Sequence, residues 1–180
     1  MISAPHVFAH KRPALENRYK VEEEFTDKLA RIIADRIPVY SVVSLQAQKF
    51  DPNFYSKNES PYKREISSII SRNKIDLMVD IHGLDPLLHY DFAIYYPLKY
   101  YKSMKAAKVL KDHLQSGSLR GSIVHLLNFP NDDGETLSEF AASQKKIPAV
   151  QLEVAKYIRQ DDELLDLTAE QIITFLKSFS

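Results

Sequence analysis

The sequence predicts a three-layer α/β/α fold with a mostly parallel central sheet. Short apolar runs typical of strands alternate with longer amphipathic runs of helical spacing. Residues 75–81 (IDLMVDI) are almost continuously apolar, as expected of a strand that has helices on both faces. The chain has 180 residues, which is the usual length of one domain, so we assign a single domain to residues 1–180.

In the N-terminal half, a short apolar segment at 2–5 leads into a loop, and a helix follows within 21–36, where apolar residues recur at helical spacing. Residues 38–45 (PVYSVVSL) are β-branched and aromatic and predict a strand, whereas 50–59 have the composition of a loop. The pair Ser60-Pro61 predicts the start of a second helix, since serine is a good cap and proline suits the first helical position.

The C-terminal half continues the alternation. Further strands are predicted at residues 91–96, 122–127 and 148–154. A long amphipathic helix is predicted at 99–115, and two capping boxes predict helices that begin after Thr136 and Thr168, the latter reaching Phe179. We expect the run at 75–81 to form the central strand, next to the strands at 38–45 and 148–154.

The composition excludes several classes of function. The chain has no cysteine, which excludes disulfide scaffolds, cysteine zinc sites, iron–sulfur clusters and a thiol nucleophile. Its 24 basic and 24 acidic side chains give a net charge of zero, whereas a general nucleic-acid binder usually has an excess of basic residues. Its four glycines form no glycine-rich phosphate loop. The apolar runs are too short for a signal peptide or a membrane span, so we expect a cytoplasmic protein that binds neither nucleic acid nor membranes.

Polar residues stand at the ends of three predicted strands. His6 follows the first apolar segment, His82 follows the central strand, and Glu153 lies in the last strand. Because the carboxyl ends of parallel strands meet at one edge of a sheet, we expect these side chains to converge. Two imidazoles and a carboxylate from the run at 22–24 (EEE) would form a zinc site, and Glu153 would then be free to act as a general base.

Each of these residues also has a structural interpretation. A single histidine at a strand end is more often a hydrogen-bonded polar residue than a metal ligand. Three glutamates at 22–24 are typical of the solvated first turn of a helix. Glu153 is harder to explain in this way, because an unpaired carboxylate in an apolar strand is costly.

Six segments together resemble the N-formylglutamate amidohydrolase family, which is related in fold to the zinc carboxypeptidases. The segments are SAPH at 3–6, HKR at 10–12, EEEFTDKLA at 22–30, DPN at 51–53, DIHG at 80–83 and VQLEV at 150–154. No single segment is specific, but their order and intervals match the family over most of the chain.

The resemblance implies a zinc-dependent amide hydrolase with one zinc ion. It places metal ligands at His6, at His82 and at one glutamate before the first helix, for which we favour Glu23 over Glu24. It places the general base at Glu153.

The resemblance also suggests residues that bind the substrate. In related sites an arginine or asparagine after the second strand holds the substrate carboxylate; here the chain offers Asn53, with Lys63 and Arg64 just beyond, and Lys156 stands where the family has an arginine. The first strand is also shorter than in the family, and Phe54 follows Asn53 where an arginine is common. The expected substrate is therefore an N-formyl or N-acyl amino acid, or a peptide terminus.

Three functions follow from these observations. The leading hypothesis is a zinc amidohydrolase that cleaves a small amide through an activated water. The second is a non-catalytic binding protein that retains the fold, and the third is a zinc peptidase that acts on a peptide terminus. In each case the expected partner is a small-molecule amide or a short peptide.

Overall fold

Strands and helices alternate along the computed structural model, which describes residues 1–16, 18–129 and 134–179. The strands are β1 (Ile2–Ala4), β2 (His10–Lys11), β3 (Tyr19–Lys20), β4 (Ser41–Val43), β5 (Met78–Gly83), β6 (Phe92–Tyr96), β7 (Val124–Asn128) and β8 (Ala149–Val154). The α-helices are α1 (Thr26–Arg36), α2 (Pro61–Arg72), α3 (Tyr101–Leu114), α4 (Leu137–Gln144), α5 (Lys156–Gln160) and α6 (Asp162–Ser178). Within the described part of the chain, no helix is both long and apolar enough to cross a membrane.

Six strands form one sheet in the order β4-β1-β5-β8-β6-β7. The strands β4, β1, β5 and β8 run parallel to one another, while β6 is antiparallel to β8 and parallel to β7. The strands β2 and β3 form a separate antiparallel pair. The predicted α/β class with a mostly parallel sheet is confirmed.

Helices cover both faces of the sheet. On one face, α1, α3 and α6 bury a large apolar core that includes Ile2, Val79 and Leu152. On the other face, α2 and α4 form a smaller core around Met78 and Ala149. Because side chains alternate along a strand, the polar residues of β5 and β8 share the face of α2 and α4.

The neighbours of the central strand differ in part from the prediction. The strand β8, predicted at 148–154, lies beside β5, but the strand predicted at 38–45 does not. Instead β1 lies between β4 and β5, because the segment at 2–5 forms a fully buried strand of its own. The sequence predicted a short first strand that ends before His6, but three residues are too few to give a pattern that indicates which strands lie beside it.

The start of the last helix was also predicted wrongly. The helix α6 begins at Asp162, and Thr168 lies inside it, where its hydroxyl donates to the carbonyl of Leu164 at 2.7 Å. The cap is Asp161, whose Oδ1 accepts hydrogen bonds from the amides of Glu163 and Leu164 at 3.0 Å each. By contrast, the capping box predicted at Thr136 is present at the start of α4.

Candidate metal centre

Three side chains bring potential ligand atoms to one point beyond β1 and β5. His6 Nδ1 lies 3.1 Å from His82 Nδ1 and 3.3 Å from Glu23 Oε1, and His82 Nδ1 lies 3.1 Å from Glu23 Oε2. All three residues are buried. These are the three ligands that the sequence suggested, and the structure brings them together as one group that could hold a metal ion.

The spacing of these atoms fits a tetrahedral zinc ion. Two ligand atoms that are each about 2.1 Å from such an ion lie about 3.4 Å apart, close to the separations of 3.1 to 3.3 Å found here. The group is therefore compatible with one metal ion, with the fourth position left for a water or a substrate.

A buried carboxylate holds each histidine from the side opposite the ligand group. His6 Nε2 donates to Asp51 Oδ1 at 2.8 Å, and His82 Nε2 donates to Asp80 Oδ2 at 2.9 Å. Hydrogen bonds of this kind fix the tautomer, so that each Nδ1 carries its lone pair toward the site. Asp51 and Asp80 lie in two of the matching segments, but the sequence analysis gave neither of them a role.

A strained turn before α1 aims Glu23 at the histidines. Phe25 has a φ of 64°, in the left-handed region that an aromatic residue rarely adopts. The amide of Glu23 donates to the carbonyl of His6 at 2.8 Å, and the hydroxyl of Thr26 donates to the carbonyl of Glu23 at 2.8 Å.

The last residue of β5 allows Glu23 to approach the sheet. The amide of Gly83 donates to Glu23 Oε2 at 3.0 Å. A Cβ atom on Gly83 would lie 2.7 Å from Arg159 Nη2 and 3.1 Å from Glu23 Cβ. Glycine is therefore needed here for close contact.

The charges of the cluster are strongly coupled. Burial disfavours the charged form of His82, but the carboxylates of Asp80 and Glu23 outweigh it and raise the pKa of His82 to about 10. Burial opposes charge on His6 as well, and Asp51 and Glu23 raise its pKa. Although burial acts in the opposite direction, the two imidazoles hold the pKa of Glu23 well below its usual value. Without a metal ion, protons take the place of the cation that these carboxylates require.

Glu153 lies beside the ligand group and outside it. It stands opposite His82 in the pairing of β5 with β8, and its Oε1 accepts a hydrogen bond from Gln151 Nε2 at 3.0 Å. Burial raises the pKa of its carboxyl group, and the Glu23 carboxylate adds to this shift while His82 opposes it. Lys156 forms an ion pair with Glu24 instead, so this cation does not neutralise Glu153.

The alternative ligand Glu24 points away from the site. Its Oε2 lies 3.0 Å from Lys156 Nζ, and its backbone carbonyl accepts a hydrogen bond from Arg159. Lys156 is therefore not brought to the cavity beside Glu153.

The other predicted substrate-binding residues lie in different places. Asn53 is buried at the cavity, where its Oδ1 accepts from the backbone amide of Leu137 at 2.8 Å and its Nδ2 lies 3.5 Å from His82 Nε2. Lys63 is fully buried and donates to the carbonyl of Glu135 at 2.6 Å. Arg64 is exposed and donates to the carbonyl of Asn58 at 2.7 Å. Of these three residues, the structure brings only Asn53 to the cavity.

Two further residues at the site were missed. The imidazole of His10 is buried and stacks on His6 with ring centroids 3.7 Å apart, and Arg12 Nε donates to Asp51 Oδ2 at 2.7 Å. Both belong to β2 or follow it directly, and that two-residue strand has no detectable sequence pattern. The only signal was their presence in one of the matching segments.

A cavity of about 230 Å³ opens in front of the ligand group and Glu153. The described residues that line it are Arg12, Lys20, Glu23, Asn53, Phe54, His82, Gly83, Asp85, Tyr95, Phe129, Gly134, Thr136, Glu139, Gln151 and Glu153. Both the candidate metal ligands and the candidate base therefore face the same small space.

No model of a protein family matches this chain, and no curated protein matches it. Solved structures are similar to it. An N-acetylmuramyl-L-alanine amidase from Mycobacterium abscessus is 15% identical with a TM-score of 0.58, over 99% of this chain and 97% of that chain. The gene product Atu2144 from Agrobacterium tumefaciens is 13% identical with a TM-score of 0.70, over 100% and 90% of the two chains.

A metallo-carboxypeptidase from Burkholderia cenocepacia is 14% identical with a TM-score of 0.60, over 99% of this chain and 57% of that chain. At such identities the similarity shows the fold alone. The chain therefore has a fold found in amidases and in a metallo-carboxypeptidase.

Proposed function

We propose that this protein is a zinc-dependent amide hydrolase. The observation that carries the proposal is the convergence of His6 Nδ1, His82 Nδ1 and the Glu23 carboxylate within 3.3 Å of one another. Glu153 stands beside this group in the same cavity. The similarity to amidases and to a carboxypeptidase supports the cleavage of a carbon–nitrogen bond.

The ligand group supplies the place where zinc would bind, and the remaining residues supply the proton transfers. A bound zinc ion acts as a Lewis acid that lowers the pKa of water and polarises a carbonyl group. Glu153 accepts a proton from the attacking water and returns it to the leaving nitrogen as the carbon–nitrogen bond breaks. Burial raises the pKa of this carboxyl group, and a weaker acid is a stronger base for the first step and still a proton donor for the second. Asn53 Nδ2 provides a hydrogen bond to the substrate.

We propose an N-formyl or N-acyl amino acid as the substrate, with N-formylglutamate as the compound that the resemblance suggests. A peptide terminus is the second candidate, and the similarity to a metallo-carboxypeptidase favours it. A binding protein without activity would retain the same ligand group but hydrolyse neither kind of compound.

The test combines elemental analysis with a hydrolysis screen. Purified protein should contain one zinc per chain, whereas His82→Ala should contain none and remain folded, since the apolar cores do not depend on the metal site. The zinc-loaded protein is then assayed on N-formyl amino acids, N-acetyl amino acids and short peptides. Zinc without hydrolysis of any compound would favour the binding protein, and no zinc in the wild-type protein would contradict the proposal.

A further inference from the structure

Two kinds of side chain in the cavity have no part in the proposed chemistry. The first is a pair of cations, Arg12 and Lys20, and the second is a set of aromatic rings, Phe54, Tyr95 and Phe129. These residues line the same cavity as Glu153, so a substrate that reaches Glu153 lies beside them. They therefore bear on which amide the site accepts.

Arg12 is held with part of its guanidinium group free. Its Nε donates to Asp51 Oδ2 at 2.7 Å, and its Cζ lies 5.0 Å from the centroid of the Phe54 ring. In the described part of the chain, no hydrogen bond from Nη1 or Nη2 to the protein is found. Those terminal nitrogens form a fork that suits a carboxylate, which they can bind through two hydrogen bonds.

The same carboxylate connects Arg12 to the ligand group. Asp51 binds Arg12 through Oδ2 and His6 through Oδ1. Its Oδ1 also accepts a hydrogen bond from the backbone amide of Asn53 at 2.9 Å. The guanidinium group is therefore fixed one side chain away from a metal ligand. An anionic group bound by Arg12 would lie close to the scissile amide.

The acidic residues that line the cavity in the described part of the chain have other partners. Glu139 accepts hydrogen bonds from Thr136 in the capping box, and Asp85 accepts one from the backbone amide of Leu87. Glu23 belongs to the ligand group and lies 3.8 Å from Lys20 Nζ through its Oε1, and Glu153 accepts from Gln151. Among the described residues, the terminal nitrogens of Arg12 therefore bind no carboxylate of the protein.

Three aromatic rings line the cavity. Phe54 lies against the Arg12 guanidinium group, and Tyr95 stacks on Phe129 with ring centroids 5.6 Å apart. All three rings are half-buried. The cavity of about 230 Å³ shares Phe129, Gly134 and Glu139 with a neighbouring cavity of about 680 Å³.

We propose that the substrate carries a carboxylate bound by Arg12 and an aromatic or branched apolar group packed against Phe54, Tyr95 and Phe129. This inference rests on the proposed amide hydrolase function and narrows its substrate to an N-formyl or N-acyl derivative of an apolar amino acid. N-formyl-L-phenylalanine fits this description, whereas N-formyl-L-glutamate places a second carboxylate against the rings.

The first experiment measures binding to metal-free protein and does not depend on catalysis. The probes are 3-phenylpropanoate and its uncharged amide, titrated by calorimetry or NMR. The wild-type protein should prefer the acid by at least about tenfold, the usual minimum for a hydrogen-bonded charge pair. Arg12→Gln should remove this preference and Arg12→Lys should restore part of it, while Phe54→Ala should weaken both probes by about threefold to tenfold.

Two further variants complete this test. Arg72 is an exposed arginine at the end of α2 and does not line the cavity, so Arg72→Gln should bind both probes like the wild type. Equal binding of acid and amide by the wild-type protein would overturn the proposal. A preference that survives Arg12→Gln and disappears in Lys20→Gln would also overturn it, because the anion would then be bound by Lys20.

The second experiment compares kcat/KM of the zinc-loaded protein on N-formyl-L-phenylalanine, its C-terminal amide and N-formyl-L-glutamate. The free acid of phenylalanine should be the best of the three, and Arg12→Gln should lower its kcat/KM mainly through KM. Selective binding of the acid without any hydrolysis would overturn the enzyme function and leave the carboxylate site standing. Hydrolysis that favours the glutamate derivative would overturn the apolar substrate and leave the enzyme function standing.

Discussion

Asp80 decides which nitrogen of His82 is available to a metal ion. Its Oδ2 accepts from Nε2 at 2.9 Å, and this leaves Nδ1 directed at Glu23. Asp51 does the same for His6. Partners of this kind orient the ring and raise its basicity, so they contribute to metal affinity without touching the metal.

We therefore expect Asp80→Asn to weaken zinc binding by about 10- to 100-fold, measured by competition with a chelator of known affinity. The side-chain amide introduced by this substitution is uncharged, so it accepts the Nε2 proton of His82 more weakly than the carboxylate does. Its NH2 group can also take the position of the accepting oxygen. Asp76→Asn is the matched control, because Asp76 is an exposed aspartate just before β5 that pairs only loosely with Lys74 at 3.9 Å. An Asp80→Asn protein that binds zinc like the control would mean that Asp80 has no role in holding the ligand.

Glu153 can be tested by a change that keeps its shape. Glu153→Gln should retain zinc and folding but lose at least about 100-fold in turnover, the lower end of what a general base contributes. The control is Glu24→Gln, which removes only the exposed ion pair with Lys156. Near-normal turnover by Glu153→Gln on a substrate found in the screen would assign Glu153 a structural role.

At the level of elements, the two capping boxes in the sequence had different outcomes. Thr136 caps α4 as predicted, whereas Thr168 lies inside α6 because the chain is already helical from Asp162. A capping box predicts a helix start only if no stronger cap precedes it. Asp161 is such a cap, and the short helix α5 directly before it concealed that position in the sequence pattern.

The cap at Asp161 should be measurable in the stability of the whole protein. Asp161→Ala removes the acceptor for two amides and should lower the free energy of unfolding by about 1 kcal/mol, measured by urea denaturation. Thr174 lies in the interior of the same helix with an exposed hydroxyl that donates to the carbonyl of Glu170. Thr174→Ala should change stability by less than about 0.5 kcal/mol. If the two variants are equally stable, Asp161 does not act as the cap.

The sequence predicted those elements that have a pattern of their own. The central strand, the amphipathic helices and the strand β8 are each long enough to show an apolar run or a helical period, and His82 and Glu153 became candidates because of their positions in or after such strands. The strands β1, β2 and β3 have two or three residues each, so nothing in the sequence indicated where they pair. Arg12 and His10 were missed for this reason, since the β2–β3 pair places them at the site.

At the level of the whole molecule, the candidate metal centre connects segments that are far apart in the sequence. His6 follows β1, Glu23 precedes α1, and His82 belongs to β5. The core on each face of the sheet fixes these elements, and the buried charges must then be balanced by protons or by a metal ion. Stability should therefore depend on pH and on zinc together.

For metal-free protein, the sign of this dependence follows from the pKa shifts. The pKa values of His6 and His82 are raised, that of His82 to about 10. The contribution of these two histidines to the free energy of unfolding is therefore complete below about pH 6.5 and is lost as the pH rises. The pKa values of Glu23 and Asp51 are lowered, so their contribution is complete above about pH 5 and is lost in acid. Together these four groups should stabilise metal-free protein most between about pH 5 and 6.5, whereas His10, whose pKa burial lowers to about 3, opposes them as the pH falls below about 6.5.

Bound zinc should offset the loss of stability that metal-free protein shows as the pH rises above about 6.5. A metal ion binds only the neutral imidazoles, so binding must displace the protons of His6 and His82, and this becomes easier as the pH rises. We expect the difference in Tm between zinc-loaded and EDTA-treated protein to grow steadily from pH 6 to pH 8, measured by calorimetry at fixed free zinc. His82→Ala should show no such difference at any pH. A wild-type difference that stays constant over this range would mean that zinc does not replace protons at these two histidines, and that it binds elsewhere on the chain.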